Sequence, residues 1–254
     1  MRKHNFKDRL GEEYLTTQGY IVEIIKYQGA NNVTVQFKDT EIVVENINFK
    51  EVKNGNIRNL NHKAILGVGY IGYGKYKPTL NKKTSKCYTS WQSMLARCYN
   101  EKSQVSTKNK SYVECNVTEK WHNFQNFAQW FEENYNSETM QGWCLDKDII
   151  IKGNKIYSPE TCCFVPNEIN TLFTKIHKID KLPTGVTDSK NNSYRVALPR
   201  SKKGKRCYKT VEEAFQAYKE VKEEYIKEIA DKWRGLISDN VYQAMYNYQV
   251  EITD

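Results

Sequence analysis

The sequence predicts a multidomain α+β protein, and three observations carry that prediction. Short β-branched runs crowd the stretch from Tyr20 to Phe49. Phe124, Phe127, Trp130 and Phe131 recur at helical spacing in the middle of the chain, and strand-like runs between Gly185 and Lys209 lead into a long apolar stripe opened by Thr210. At 254 residues there is length for one large domain or several small ones. Turn-rich stretches divide the chain into residues 1–62, a small β-barrel; 63–87, a basic linker rich in glycine and tyrosine; 88–176, a module of helices and short strands; 182–235, a sheet plus a helix; and 236–254, a helical tail.

In the first module, residues 20–27, 33–37, 41–44 and 47–49 read as strands, separated by the turn-prone 28–32 and 38–40. Four or five short strands in so little chain resemble an SH3-like barrel. Such a barrel serves to contact DNA, to dock a protein or to brace its neighbour. The glycines that follow, Gly67, Gly69, Gly72 and Gly74, alternate with Tyr70, Tyr73 and other apolar residues. A phosphate-cradling loop needs Gly-Lys-Ser/Thr opening a helix, and a dinucleotide site needs a flanking βαβ unit; here the run leads to Pro78 and lysines. A flexible basic linker is the expectation.

In the central module, Ser90 to Tyr99 fits a short helix with Trp91, Leu95 and Cys98 on one side, and Asn123 to Asn134 fits a second. Leu145 to Ile151 reads as a strand, 152–155 as a turn, 162–166 as a strand, and Asn167 to Leu172 as a helix. In the third module, 193–198 and 205–209 read as strands after Gly185-Val186-Thr187. Thr210 then caps a helix whose Glu213 completes a capping box. Val241, Ala244, Met245 and Tyr248 place a last short helix in the tail.

Charge narrows the partner. The net charge is +9, with ten Lys/Arg between Lys63 and Lys110 against the single acid Glu101, and eleven between Lys175 and Lys209 against Asp180 and Asp188. Interleaved with 18 Tyr, 9 Phe and 5 Trp, such blocks neutralise phosphates and stack on bases. Seven cysteines form an odd set, and Met1 to Leu10 is charged and polar, so a reduced, cytoplasmic setting without a secretory leader is expected. No apolar run is long enough to span a membrane. Cys98, Cys115, Cys144, Cys162 and Cys163 lack the paired spacing of a zinc finger.

The central module carries Trp91, Met94, Arg97-Cys98-Tyr99, Val117, Trp121, Asn123-Phe124, Phe127, Trp130, Leu145-Asp146, Asp148, Gly153-Asn154, Tyr157 to Cys162, Phe164-Val165 and Asn170. This pattern resembles a group of phage and mobile-element proteins with an HNH-like ββα fold. The resemblance implies a water-activating histidine on a strand and a metal held by later ligands. Here the general-base position falls at Lys147, and an ordinary ammonium is protonated and takes no proton from water. His122 and His177 lie outside the motif. On a continuous strand Asp146 and Asp148 point to one face and offer a seat for Mg²⁺ or Mn²⁺, with Asn154 and Glu160 completing a catalytic set if the protein is an enzyme. On the other reading Asp146 pairs with Arg97 or another basic group and fixes the fold.

The third module, with Gly185-Val186, Tyr194-Arg195-Val196, a basic hairpin and Thr210, Glu212, Glu213, Ala214, Ala217 and Tyr218, resembles the ethylene-response-factor type of DNA-binding domain. That likeness implies a three-stranded sheet laid in the major groove. The expected contacts are Arg195, Arg200, Lys202, Lys203, Lys205, Arg206, Tyr194 and Tyr208, with Lys82, Lys83 and Lys86 as a second contact. The reading that follows is a phage-type protein that binds double-stranded DNA on a catalytically degenerate HNH-like scaffold, without a cofactor. It acts in the cytoplasm of an infected bacterial host or in the virion. Two alternatives stay open: a metal-dependent endonuclease or nickase, and a factor that binds a host or phage protein.

Overall fold

The computed structural model describes residues 9–101, 112, 114–173, 182–189, 192–197, 206–252 and 254. The chain gathers into two compact units, Met1–Tyr88 with Glu119–Phe127, and Thr89–Thr118 with Ala128–Asp254.

In the first unit, β1 (Glu13–Leu15), β2 (Ile21–Tyr27), β3 (Val33–Phe37) and β4 (Val43–Ile47) form one antiparallel sheet in sequence order. Alternation decides its faces: Val22 and Ile24 of β2 are buried while Ile21 and Ile25 are exposed. Val22, Ile24, Val33, Val35 and Phe37 make a core with Val52 and Ile57. The sheet is open, which overturns the expected SH3-like barrel. Its edge strands β1 and β4 do not pair with each other. The strand expected over 47–49 is also cut short, because Asn48 ends the extended run. Its side-chain oxygen accepts the Lys50 N–H at 2.8 Å and caps α1 (Phe49–Lys53), so a helix begins within the expected strand.

The glycine-rich stretch is fixed, not loose. It leads through a two-stranded hairpin, β5 (Thr79–Leu80) and β6 (Lys83–Thr84), into α2 (Lys86–Tyr99). The partner of the stretch is the junction of α3 (Glu119–His122) and α4 (Phe124–Asn134). Tyr70 donates to the His122 carbonyl and accepts from the Phe124 N–H, both at 2.9 Å. Gln125 bonds the Ile71 and Tyr76 carbonyls at 3.2 and 3.0 Å and accepts the Tyr76 N–H at 3.0 Å. A Cβ on Gly72 would lie 2.2 Å from Asn123 Oδ1, so close approach of backbone explains that glycine better than phosphate binding does.

In the second unit, β7 (Asn116–Val117) pairs in parallel with β9 (Ile156–Tyr157), and β8 (Cys144–Asp146) pairs antiparallel with β10 (Cys163–Val165). Phe164 of β10 meets the rings of Trp130, Phe131 and Tyr135 at 5.3, 5.3 and 4.9 Å, an aromatic core built on the last turns of α4. After β10 the chain forms α5 (Asn167–Leu172), with Ile169 buried. A three-stranded antiparallel sheet follows, of β11 (Val186–Ser189), β12 (Ser193–Val196) and β13 (Cys207–Tyr208). Thr210 then caps α6 (Val211–Lys232) by accepting the Glu213 N–H, and α7 (Asp239–Tyr246) packs on α6. Among the described residues no helix is long and apolar enough to cross a membrane.

Gly185 shows how tightly helix and sheet meet. At φ +72 its added Cβ would lie 2.2 Å from the Tyr218 ring, whereas Gly153, at φ +78, has nothing within 4 Å. Gly185→Ala is therefore expected to lose about 2–3 kcal/mol in urea unfolding, for backbone strain plus overlap, and Gly153→Ala only about 1 kcal/mol. Equal losses at the two positions would contradict this packing.

Candidate nucleic-acid interface

Strand β8 stops at Asp146 because that side chain turns back on its own backbone. Its Oδ1 accepts the N–H groups of Asp148 at 2.8 Å and Ile149 at 2.9 Å, an Asx turn that ends the extended run. The expected continuous strand to Ile151, with Asp146 and Asp148 on one face, is thus not formed.

Lys147 instead points inward and is 5% exposed. Its Nζ lies 3.1 Å from Asp148 Oδ2 and 5.7 and 5.8 Å from the ring centres of Tyr112 and Tyr157. Burial pulls the ammonium pKa down, the Asp148 charge pushes it up, and the net is a rise, so Lys147 remains a cation. Arg97 joins the same cluster, donating to the Tyr157 hydroxyl at 3.3 Å with its guanidinium 5.6 Å from the Tyr112 ring centre. Asn154 is occupied by backbone, donating at 2.7 Å to the carbonyls of Lys147 and Ile156. Glu160 is exposed in the turn after Ser158.

Asp146 and Asp148 thus stay close enough for one carboxyl to act on the other, Asn154 is bonded to the carbonyl of the residue between them, and Glu160 is exposed. Among the described residues no group of three or more His, Cys, Asp or Glu could hold a metal ion. This overturns the endonuclease-like metal centre that strand alternation of Asp146 and Asp148 led to: Lys147 Nζ, not a second carboxylate, is the partner of Asp148 Oδ2. The cysteines form no such group either. Burial pushes the thiols of Cys98 and Cys162 up to about 12, which keeps them protonated and unreactive.

The C-terminal sheet offers a different surface. Its register sets Thr187 opposite Arg195 and Arg195 opposite Cys207, while Val186 faces Val196 and Tyr194 faces Tyr208. Alternation then separates two faces. Val186 and Val196 are buried with Ala214 of α6, and Tyr194, Tyr208, Phe215 and Tyr218 pack against them. Thr187, Arg195 and Cys207 lie on the opposite, exposed face. Tyr194 and Tyr208, expected among the DNA contacts, thus turn their rings to the helix side.

Arg206 is exposed just before β13, and Lys82, Lys83 and Lys86 are exposed around the β5–β6 hairpin. Arg200, Lys202, Lys203 and Lys205 lie outside the described residues. Sequence reasoning missed the burial of Lys147 and the place of Thr187 beside Arg195; the lysine flanked by two aspartates was the available signal for the first. Comparison with protein-family models, with curated proteins and with solved structures finds no match.

Asp146 makes the central cluster sensitive to pH. Burial first, then the neighbouring Asp148 charge, raise its carboxyl to about 6 from the ordinary 3.8, against the lowering pull of the two N–H groups. The folded chain thus holds this proton more tightly than the unfolded one. Its contribution to stability is complete below about pH 4 and is lost as pH rises through about 6. Asp146→Asn, whose oxygen still accepts both N–H groups, is expected to raise stability at pH 7.5 by about 1–2 kcal/mol, with the difference vanishing near pH 4. Parallel thermal melts of both proteins from pH 4 to 8 read this directly.

Proposed function

We propose that this protein binds double-stranded DNA through the exposed face of its C-terminal sheet. The observation that carries the reading is the position of Arg195: exposed, central in the sheet, flanked across the strands by Thr187 and Cys207, and on the face turned away from α6. A sheet packed on one side by a helix leaves its other side to solvent, and β-strands are among the elements that proteins lay in a DNA groove. Arg195 there serves a base edge or a phosphate, the Thr187 hydroxyl serves either, and Arg206 adds a charge before β13.

The net charge of +9 and the two basic blocks supply the long-range attraction that such a surface needs. The resemblance of the central module to phage and mobile-element proteins, and of the third module to the ethylene-response-factor type of DNA-binding domain, agrees with this reading, and we place the protein in the cytoplasm of an infected bacterial host. Binding, in this reading, needs no metal.

The test is fluorescence anisotropy on a labelled duplex in EDTA across a salt series. Arg195→Ala with Arg206→Ala is expected to weaken binding about tenfold and to lower the salt slope by about 2, one for each cation removed. Unchanged affinity and slope would remove the sheet as the DNA-binding surface.

A further inference from the structure

The first unit carries a second feature that its own stability does not explain. Strands β5 and β6 are two residues each, paired Thr79 with Thr84 and Leu80 with Lys83, and every residue from Thr79 to Thr84 is exposed. A hairpin this small has no core of its own. It stands on a firm base: the Ser85 N–H donates to the Pro78 carbonyl at 2.8 Å, and Ser85 Oγ accepts the Tyr88 N–H at 3.1 Å at the start of α2.

The tip has two further properties. Asn81 and Lys82 both have left-handed backbones, φ 49 and 63, as a two-residue type I′ turn requires. Asparagine is well suited to the first position, but the second favours glycine, and here a lysine holds it against that preference. Beside the turn, Leu80 is 57% exposed and shares a face with Lys83 by pleat alternation. A large apolar side chain is thus held in solvent amid cations. Lys83 lies across the strand from it, Lys75, Lys77, Lys82 and Lys86 flank it along the chain, and no Asp or Glu occurs between Glu51 and Glu101.

We propose that the β5–β6 hairpin enters the minor groove of duplex DNA, with Leu80 as a wedge at a base step, and that it bends the duplex. The inference rests on the DNA-binding reading above and adds the mode of a second contact. Each element has a part in it. The lysines neutralise phosphates on the two walls of a groove about 6 Å wide, and Asn81 reaches the acceptors on its floor. Leu80 offsets unstacking of the step by leaving water for the base faces. The hairpin holds no Arg, Gln or Glu to read base edges, and Asn81 at the floor separates only A·T from G·C pairs, so its choice of site follows mainly ease of bending.

The test uses the full chain and a 30-bp duplex carrying a donor and an acceptor dye at its ends, read for energy transfer and anisotropy across salt. The parent protein is expected to raise energy transfer on binding, and to bind a duplex with a one-nucleotide gap about tenfold tighter than an intact one. Leu80→Ala is expected to bind the intact duplex within about threefold of the parent while losing both the bend and the preference for the gap. Lys82→Gly with Lys83→Ala, which leaves an Asn-Gly turn favourable to the hairpin, is expected to lower the salt slope by about 2.

A bend that survives Leu80→Ala, or a salt slope unchanged in the lysine variant, overturns the proposal. If Arg195→Ala with Arg206→Ala weakens binding and the hairpin variants do not, only the hairpin proposal falls. If the hairpin variants change and the sheet variant does not, the hairpin contact stands and the sheet surface falls. A parent protein that binds no duplex overturns both.

Discussion

An ammonium group removed from water must keep its charge satisfied, and the second unit is organised around that demand at Lys147. Asp148 supplies the counter-charge at 3.1 Å, and the rings of Tyr112 and Tyr157 cover the remaining sides. Reaching that position requires the chain to leave the extended form after Asp146, and the Asp146 carboxylate holds the resulting turn. Asn154 then secures the Lys147 carbonyl, so the loop between β8 and β9 is tied at both ends. Charge, turn and clamp form one interdependent set. Within this set Asp148 Oδ2 is paired with the ammonium and Asp146 Oδ1 with backbone N–H groups.

A second ionic contact orders the helices of this unit. Glu168 of α5 pairs with Lys232 at 2.7 Å and accepts the Trp233 indole N–H at 2.8 Å, which holds its carboxyl below the usual range. Trp233 in turn lies edge-on to Trp143, 6.0 Å between ring centres. Lys152 reaches the chain's last residues, bonding the Gln249 carbonyl at 2.7 Å and the Asp254 carboxylate at 2.8 Å. These partly exposed pairs contribute little individually, but they register apolar surfaces that bury Ile226, Ile229, Val241 and Met245. With α6 so anchored, one face of the β11–β13 sheet is covered and the other is left to solvent.

In the first unit the constraint is different. An open four-stranded sheet must cover its apolar face, and here α1 and the segment around Ile57 do so. The glycine-rich stretch is pinned to the junction of α3 and α4 by backbone pairing and by Gln125, which gives the β5–β6 hairpin a rigid footing. Lys82 and Lys83 of the hairpin therefore stand on a hydrogen-bonded support.

The sequence alone determined what depends on neighbours along the chain. The cap at Thr210, the helix from Asn167 to Leu172, the amphipathic stripe through Trp130 and the strands around Arg195 are all short-range patterns, and all are present. What failed to show in the sequence depended on long-range pairing or on a single side chain's choice of partner. Asn48 could extend a strand or cap a helix, and it caps α1, while closure of the sheet depended on a pairing of β1 with β4 that does not form. Asp146 could face a metal or its own backbone, and it took the backbone. Tyr194 and Arg195 are adjacent in sequence, yet only the packing of α6 decided which of them meets the core and which meets solvent. Lys147 reads as a surface lysine until the tyrosines of distant segments close over it; its burial is a property of the assembled unit, because only there do the partners exist that make a buried charge tolerable.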